Sequence, residues 1–236
     1  LLAADTLSAL GLNINIHVFD ITDDTTKLSR LIRSGRLDHM DLIIGPVYSG
    51  NLSMVTSYAG TLGIPVVSPV QLSNNSVLKN NPMLYMASSS LEVAQKAIAR
   101  KMKNYSDDNI IIIHSDSEMG DQEVGILRNM IVRELYTIMP FEEIRLKDMV
   151  FYSRSVFGND SINRLAHALT NNTGNVVIIA SENPPVMSET LTDVHALSRK
   201  FNLNVFGYPS MRYLDNFDHR ICFDLGLMIY SPYWID

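Results

Sequence analysis

The chain has 236 residues, 46% of them hydrophobic and 19% charged, with a formal net charge of -6. That composition builds packed cores rather than a disordered chain, and it offers no basic field for a nucleic-acid backbone. The length suits two lobes of about 100 residues each, and the longest apolar run falls far short of the roughly 20 residues that cross a bilayer.

Residues 1–10 read as a short helix that Gly11 stops. Residues 13–20 alternate apolar and polar side chains and read as a strand, and 25–37 carry the helical spacing Leu28, Leu31, Ile32. Then comes Asp41-Leu42-Ile43-Ile44-Gly45-Pro46-Val47-Tyr48-Ser49-Gly50, and fifteen residues after it Pro65-Val66-Val67-Ser68-Pro69. Each is a β-branched run that breaks off in Gly, Pro and Ser, the signature of a buried parallel strand running into a loop at its carboxyl end. With the helix expected between them at 51–62, they form a βαβ unit. The Asn-rich stretch 73–75 with Asn80, Asn81 and Pro82 reads as a loop, 83–86 as a short strand, and 91–105 as a helix with Ser90 at its N-cap.

A second α/β series follows. Residues 109–114 and 175–180 are apolar enough to be strands buried on both faces. Further strands are expected at 144–151, 203–206 and 225–230, and helices at 122–135, 161–169 and 186–200. Alternating strands and helices imply parallel sheets with right-handed crossovers.

Catalytic and metal chemistry lack their usual signs. The six histidines occur singly, without His-x-x-x-His or His-x-Glu spacing. There is no Gly-x-Ser-x-Gly elbow, no phosphate loop and no dinucleotide fingerprint. The lone cysteine, Cys222, has no partner for an internal disulfide or a cysteine metal site. The 12 methionines are dispersed and read as core filler. The expectation is a non-enzyme with no cofactor and no metal.

The order of elements, with Ile43-Ile44-Gly45-Pro46, Ile64-Pro65-Val66-Val67-Ser68-Pro69 and the loop His114-Ser115-Asp116-Ser117-Glu118-Met119-Gly120, resembles the type I periplasmic binding fold. It is similar to the branched-chain amino-acid binding proteins and to their envelope relatives, including LysM-associated proteins and penicillin-binding-protein activator lipoproteins. The resemblance implies an α/β fold of two lobes, each a parallel sheet flanked by helices. Lobe one would span 1–88, with 231–236 returning to it, and lobe two 89–230. The family's first strand and its C-terminal part have no counterpart in these residues. Hinge crossings would lie at Ser88-Ser89-Ser90 and Tyr230-Ser231-Pro232.

The resemblance also implies where a ligand would sit. Ser49 stands where the amino-acid binders present a hydroxyl to the ligand carboxylate, and a serine at a helix start suits an anion; the competing reading is a plain cap. The second anchor falls on Val70-Gln71-Leu72-Ser73, where Leu72 or Ser73 takes the threonine place and Gln71 reaches toward the ligand. The family's acidic anchor falls on Tyr208 and Pro209, leaving Glu182 as a substitute ammonium partner. Tyr48, Tyr208 and Tyr213 would wall a sugar or peptide, or else lid the core. Asp116 and Glu118 would face the ligand, or serve only as helix-start charges. With two of three anchors changed, the expectation is an extracytoplasmic domain of the bacterial envelope that closes two lobes over a small polar ligand (an amino acid, peptide or sugar-like molecule) for transport or sensing. A membrane transporter or a peptidoglycan-associated protein would be its partner. The alternative is an interaction module with a degenerate cleft.

Overall fold

A computed structural model describes residues 2–72, 76–79, 81–116, 118–151, 160–215 and 217–230, apart from the side chains of 2, 3, 49, 118–121 and 160. The chain divides into two compact units, Leu1–Val70 with Ser76–Ala87, and Gln71–Asn75 with Ser88–Asp236. The expected return of 231–236 to the first lobe, with the hinge residues Ser231 and Pro232, lies outside the described residues.

The first unit holds helices α1 (Leu2–Ala9), α2 (Thr25–Arg33), α3 (Leu52–Leu62) and α4 (Ser76–Lys79), and strands β1 (Ile43–Ile44), β2 (Val66–Ser68) and β3 (Leu84–Met86). The strands form a parallel sheet in the order β1-β2-β3, with Ile43 opposite Val66 and Val66 opposite Leu84. Helix α2 starts where the Asp24 carboxylate accepts from the Thr26 amide at 2.8 Å. That bond is the chief reason its pKa lies below the ordinary carboxylate value. Helix α3 ends at Gly63, whose φ of 69° is the left-handed cap. Its buried face, Leu52, Val55, Thr56 and Ala59, follows the 3.6-residue period.

One expectation fails here. Residues 13–20 join no sheet, and Val18 is 85% exposed. Alternation makes a strand only where a neighbour takes up its backbone hydrogen bonds, and no described strand pairs with this segment. Helix α4 lies inside what reads as a loop, because four residues give no periodicity.

The second unit holds α5 (Leu91–Lys101), β4 (Asn109–His114), α6 (Glu118–Leu135), β5 (Leu146–Val150), α7 (Asp160–Ala168), β6 (Asn175–Ile179), α8 (Pro184–Leu197), β7 (Leu203–Gly207), α9 (Arg220–Asp224) and β8 (Met228–Ile229). All five strands are parallel, in the order β5-β4-β6-β7-β8. Every residue of β4 and β6 is buried. Alternate side chains feed two cores. Ile110, Ile112, Val176 and Ile178 pack under α5 and α6 with Ile98, Leu127 and Ile131. Ile111, Ile113, Val177 and Ile179 pack under α7 and α8 with Leu165, Leu191 and Val194. The last strand is two residues rather than six, and α9 and the turns at Ser49–Asn51 and Pro209–Tyr213 are additions that short apolar runs do not announce.

The amino ends of β4 and β6 are joined by a buried polar network. The Asn109 amide donates to Asn175 Oδ1 and to the Ala168 carbonyl, both at 3.0 Å. Asn175 Oδ1 also accepts from the Thr170 amide, and its own amide donates to the carbonyls of Thr170 (2.8 Å) and Asn202 (3.2 Å). Asn175 therefore uses all four of its hydrogen-bonding sites. Replacing it with alanine orphans several buried groups at once. We expect Asn175→Ala to destabilise the protein by on the order of 3 kcal/mol, seen as a lowered urea midpoint at unchanged m-value.

Candidate functional site

In the second sheet the chain leaves β4, runs to β5 on one side, then crosses to β6 on the other. Strand order reverses between β4 and β6, and open α/β sheets take ligands outside the carboxyl ends of strands at such a point. The loop after β4 carries Ser115 and Asp116, and the loop after β6 carries Ser181, Glu182 and Asn183. Ser181 is buried, and its hydroxyl accepts from the Asn183 amide at 3.1 Å, which tightens the turn into α8. Asp116 is exposed.

The neighbouring strand end brings Tyr208, directly after β7. It is fully buried and belongs to the core under α5 and α6, so it presents no open wall to a ligand. Its hydroxyl accepts from Gln95 Nε2 at 3.1 Å, and the same amide lies 3.4 Å from the Glu123 carbonyl. Gln95 projects from α5, Glu123 from α6. Burial pushes the Tyr208 phenol well above its ordinary value, and the charges of Glu123 and Glu182 add to that shift. Burial likewise raises the pKa of Glu123. Glu182 is exposed as a residue, yet desolvation of its carboxyl is the main cause of its raised pKa, with the Glu123 charge second. Desolvation thus weighs against the ionised form of all three groups. A Cβ on Gly207 would overlap the Met211 sulfur, so a side chain there would have to displace Met211.

The first unit has its own carboxyl edge. After β1 the chain turns through Gly45, at φ 118°, and a cis Gly45–Pro46 peptide. Val47 and Tyr48 are exposed, and the turn Ser49–Asn51 leads into α3. Ser49 thus opens the turn before the helix, but its side chain lies outside the described ones. Asn51 is 1% exposed, makes no cap bond, and both polar atoms of its amide lack a partner. Ser90, the N-cap of α5 in the second unit, is also buried with an unpartnered hydroxyl.

Of the expected site residues, the structure brings Glu182 and Tyr208 into electrostatic reach of each other, with Gln95 and Glu123. Asp116 shares their edge. Tyr48 and Ser49 sit on the first unit. Gln71 is half-buried in the second, next to Leu72, whose carbonyl accepts from the Leu91 amide at 2.9 Å. Ser73 lies outside the described residues, as do the side chains of Glu118 and Asp121, and Tyr213 is exposed. Asn51, Gln95 and Glu123 were not anticipated. Gln95 had a signal, a lone polar residue on the apolar face Leu91, Ala94, Ile98. Among the described residues no group of His, Cys, Asp or Glu is placed to hold a metal, and no helix is long and apolar enough to cross a membrane.

The family described as "Receptor family ligand binding region" matches residues 7–205, and the chain belongs to it. No curated protein matches. Among solved structures, a putative branched-chain amino acid ABC transporter from Rhodospirillum rubrum is similar, with TM-score 0.63, 15% identity, and cover of 97% of this chain and 63% of that one. An ABC transporter substrate-binding protein from Desulfitobacterium hafniense, solved in complex with Leu, gives TM-score 0.58, 14% identity and cover of 89% and 60%. The LpoA C-domain from Haemophilus influenzae gives TM-score 0.51, 14% identity and cover of 92% and 63%. The type I periplasmic-binding fold expected from the sequence is therefore shown. The chain spans about 60% of the length of the substrate-binding proteins it matches.

The raised carboxyl pKa values set a sign. A carboxyl that titrates higher in the folded state favours folding while protonated, and that stability is lost as pH rises through the raised value. We expect Glu182→Gln to raise the melting temperature at pH 7.5 and to bring no gain at pH 4, measured by calorimetry at both values.

Proposed function

We propose that this member of the receptor ligand-binding family is an extracytoplasmic, non-catalytic solute-binding domain. It takes a small polar ligand at the carboxyl edges of its sheets, for transport or for sensing. The observation that carries this reading is the reversal of strand order between β4 and β6, with Asp116 and Glu182 on the two loops that leave it. Glu123 and Glu182 favour a ligand that brings an ammonium or several hydroxyls to that edge. On the first unit, Tyr48, Ser49 and the start of α3 favour a carboxylate or another acceptor. Gln71 and Ser73 add hydrogen-bonding groups. The response would be ligand-driven closure, in which the ligand prefers one arrangement of the lobes and shifts the population toward it.

An amino acid, a short peptide and a sugar-like molecule all meet these terms. The changed anchors, Leu72 or Ser73 at the threonine place and Tyr208-Pro209 at the acidic place, count against a plain branched-chain amino acid. A second reading is an envelope interaction module. It is favoured by the apolar side chains that the first unit leaves exposed, Ile16, Val18, Ile44 and Val47 among them. It is also favoured by the likeness to LpoA, a regulator of PBP1A. A peptidoglycan-related protein would then be the partner.

A thermal-shift panel of amino acids, short peptides, sugars and muropeptide fragments separates the two. A ligand at about 100 times its dissociation constant adds roughly 2.7 kcal/mol, a rise on the order of 5–10 °C for a chain of this size. One responding chemical class supports solute binding, and Ser49→Ala should then weaken that ligand while leaving the unliganded melting temperature nearly unchanged. A flat panel on folded protein moves the assignment to the interaction module.

A further inference from the structure

A cavity of about 10 Å³ lies in the second unit beneath the carboxyl ends of β4 and β5, on the side covered by α7 and α8. Ile113, Met149, Phe151 and Leu165 form its apolar walls, and Ser161, Thr190 and Asp193 are the polar groups that line it. The three polar residues are buried, at 6%, 2% and 3% exposure. Ser161 on α7 donates its hydroxyl to Asp193 Oδ2 on α8 at 2.9 Å. Thr190, one turn earlier on α8, has no hydrogen-bond partner for its hydroxyl.

That orphan is informative because its neighbour behaves otherwise. Thr192, on the same helix, donates to the Ser188 carbonyl one turn back at 2.8 Å, the ordinary recourse of a threonine inside a helix. Thr190 does not take it. A buried hydroxyl without a partner costs free energy, and a polar cavity with room for one probe sphere is the setting in which a buried water relieves that cost.

We infer that this cavity is a binding site for one ordered water molecule. The water accepts from, or donates to, the Thr190 hydroxyl and donates to the Ser161 hydroxyl oxygen, which accepts while its proton is given to Asp193. It thereby ties α7 to α8 just below the strand end from which β5 leaves the sheet. Apolar occupants are disfavoured by the carboxylate and the two hydroxyls, and anything larger than a water exceeds the volume. The site is independent of the proposed solute-binding role.

Thr190→Val tests it on the intact chain. Valine matches threonine in shape and nearly in helix propensity, so the hydroxyl is the only change of consequence. With a water in place, the variant strands it, and the melting temperature falls by roughly 2–4 °C. Thr190→Ser, which keeps the hydroxyl, falls by less. With a dry cavity the variant removes an unpaired polar group, so a melting temperature that stays level or rises overturns the inference. Should Thr190→Val not fold, a crystal structure of the unaltered protein decides. A density peak within hydrogen-bond distance of Thr190 Oγ1 supports the water, and an empty cavity overturns it.

Discussion

The hydrogen bond between the carboxamides of Asn109 and Asn175 determines how the second unit is assembled. These residues are direct cross-strand partners in the register of β4 and β6. The two strands are apolar at almost every other position and buried on both faces. Such strands are poorly specified by hydrophobicity alone, since a slip by one residue exchanges one apolar face for another. A slip here would pull the Asn175 amide off the Thr170 and Asn202 carbonyls and leave buried polar groups unpaired. The polar pair thus supplies the register that Ile and Val cannot.

Register at the amino end fixes geometry at the other. Six residues of strand put the end of β4 about 16 Å from Asn109, and the loops bearing Asp116 and Glu182 leave the sheet side by side because β4 and β6 are adjacent there. The next strand contributes Gly207, where the Met211 sulfur takes the space of a side chain. Tyr208, the residue after Gly207, is buried under α5 and α6 within reach of Gln95. The acidic character of the edge comes from Asp116 and Glu182 on the two loops and Glu123 on α6, and α6 is held by the core beneath.

Much of this was legible in the residues. The runs 109–114 and 175–180 announce doubly buried parallel strands, and the β-branched run ending in Gly45-Pro46 announces a strand end in the first unit. Element boundaries drifted where the signal is short: β8 and β1 keep only two residues each, because pairing rather than composition ends a strand. The segment 13–20 shows the converse, a strand-like pattern without a partner. Site residues were harder to read. Glu182 was named from a family pattern, but its coupling to Glu123 and Tyr208 depends on three elements converging, which no local spacing reveals. Tyr208 reads as a loop aromatic beside Pro209, and only its packing under α5 and α6 and its bond to Gln95 show that it turns inward.

Polar satisfaction is uneven along the chain. At the amino end of the second sheet, Asn175 spends every donor and acceptor it has. At the starts of α3 and α5, Asn51 and Ser90 are just as buried and spend none of theirs. Both are N-cap residues that forgo the cap bond, although making it would satisfy a free amide of the first turn and add stability. Gln95, one turn into α5, bonds the tyrosine that follows β7, which places the start of that helix at the carboxyl edge. Binding a polar molecule requires hydrogen-bonding groups that the fold has not already used. In an α/β protein the carboxyl edge is where such groups can be left over without loosening the register that the amino end maintains. The uneven distribution of unmade bonds is therefore a physical reason, separate from family likeness, to test the carboxyl edge of each sheet for ligand binding.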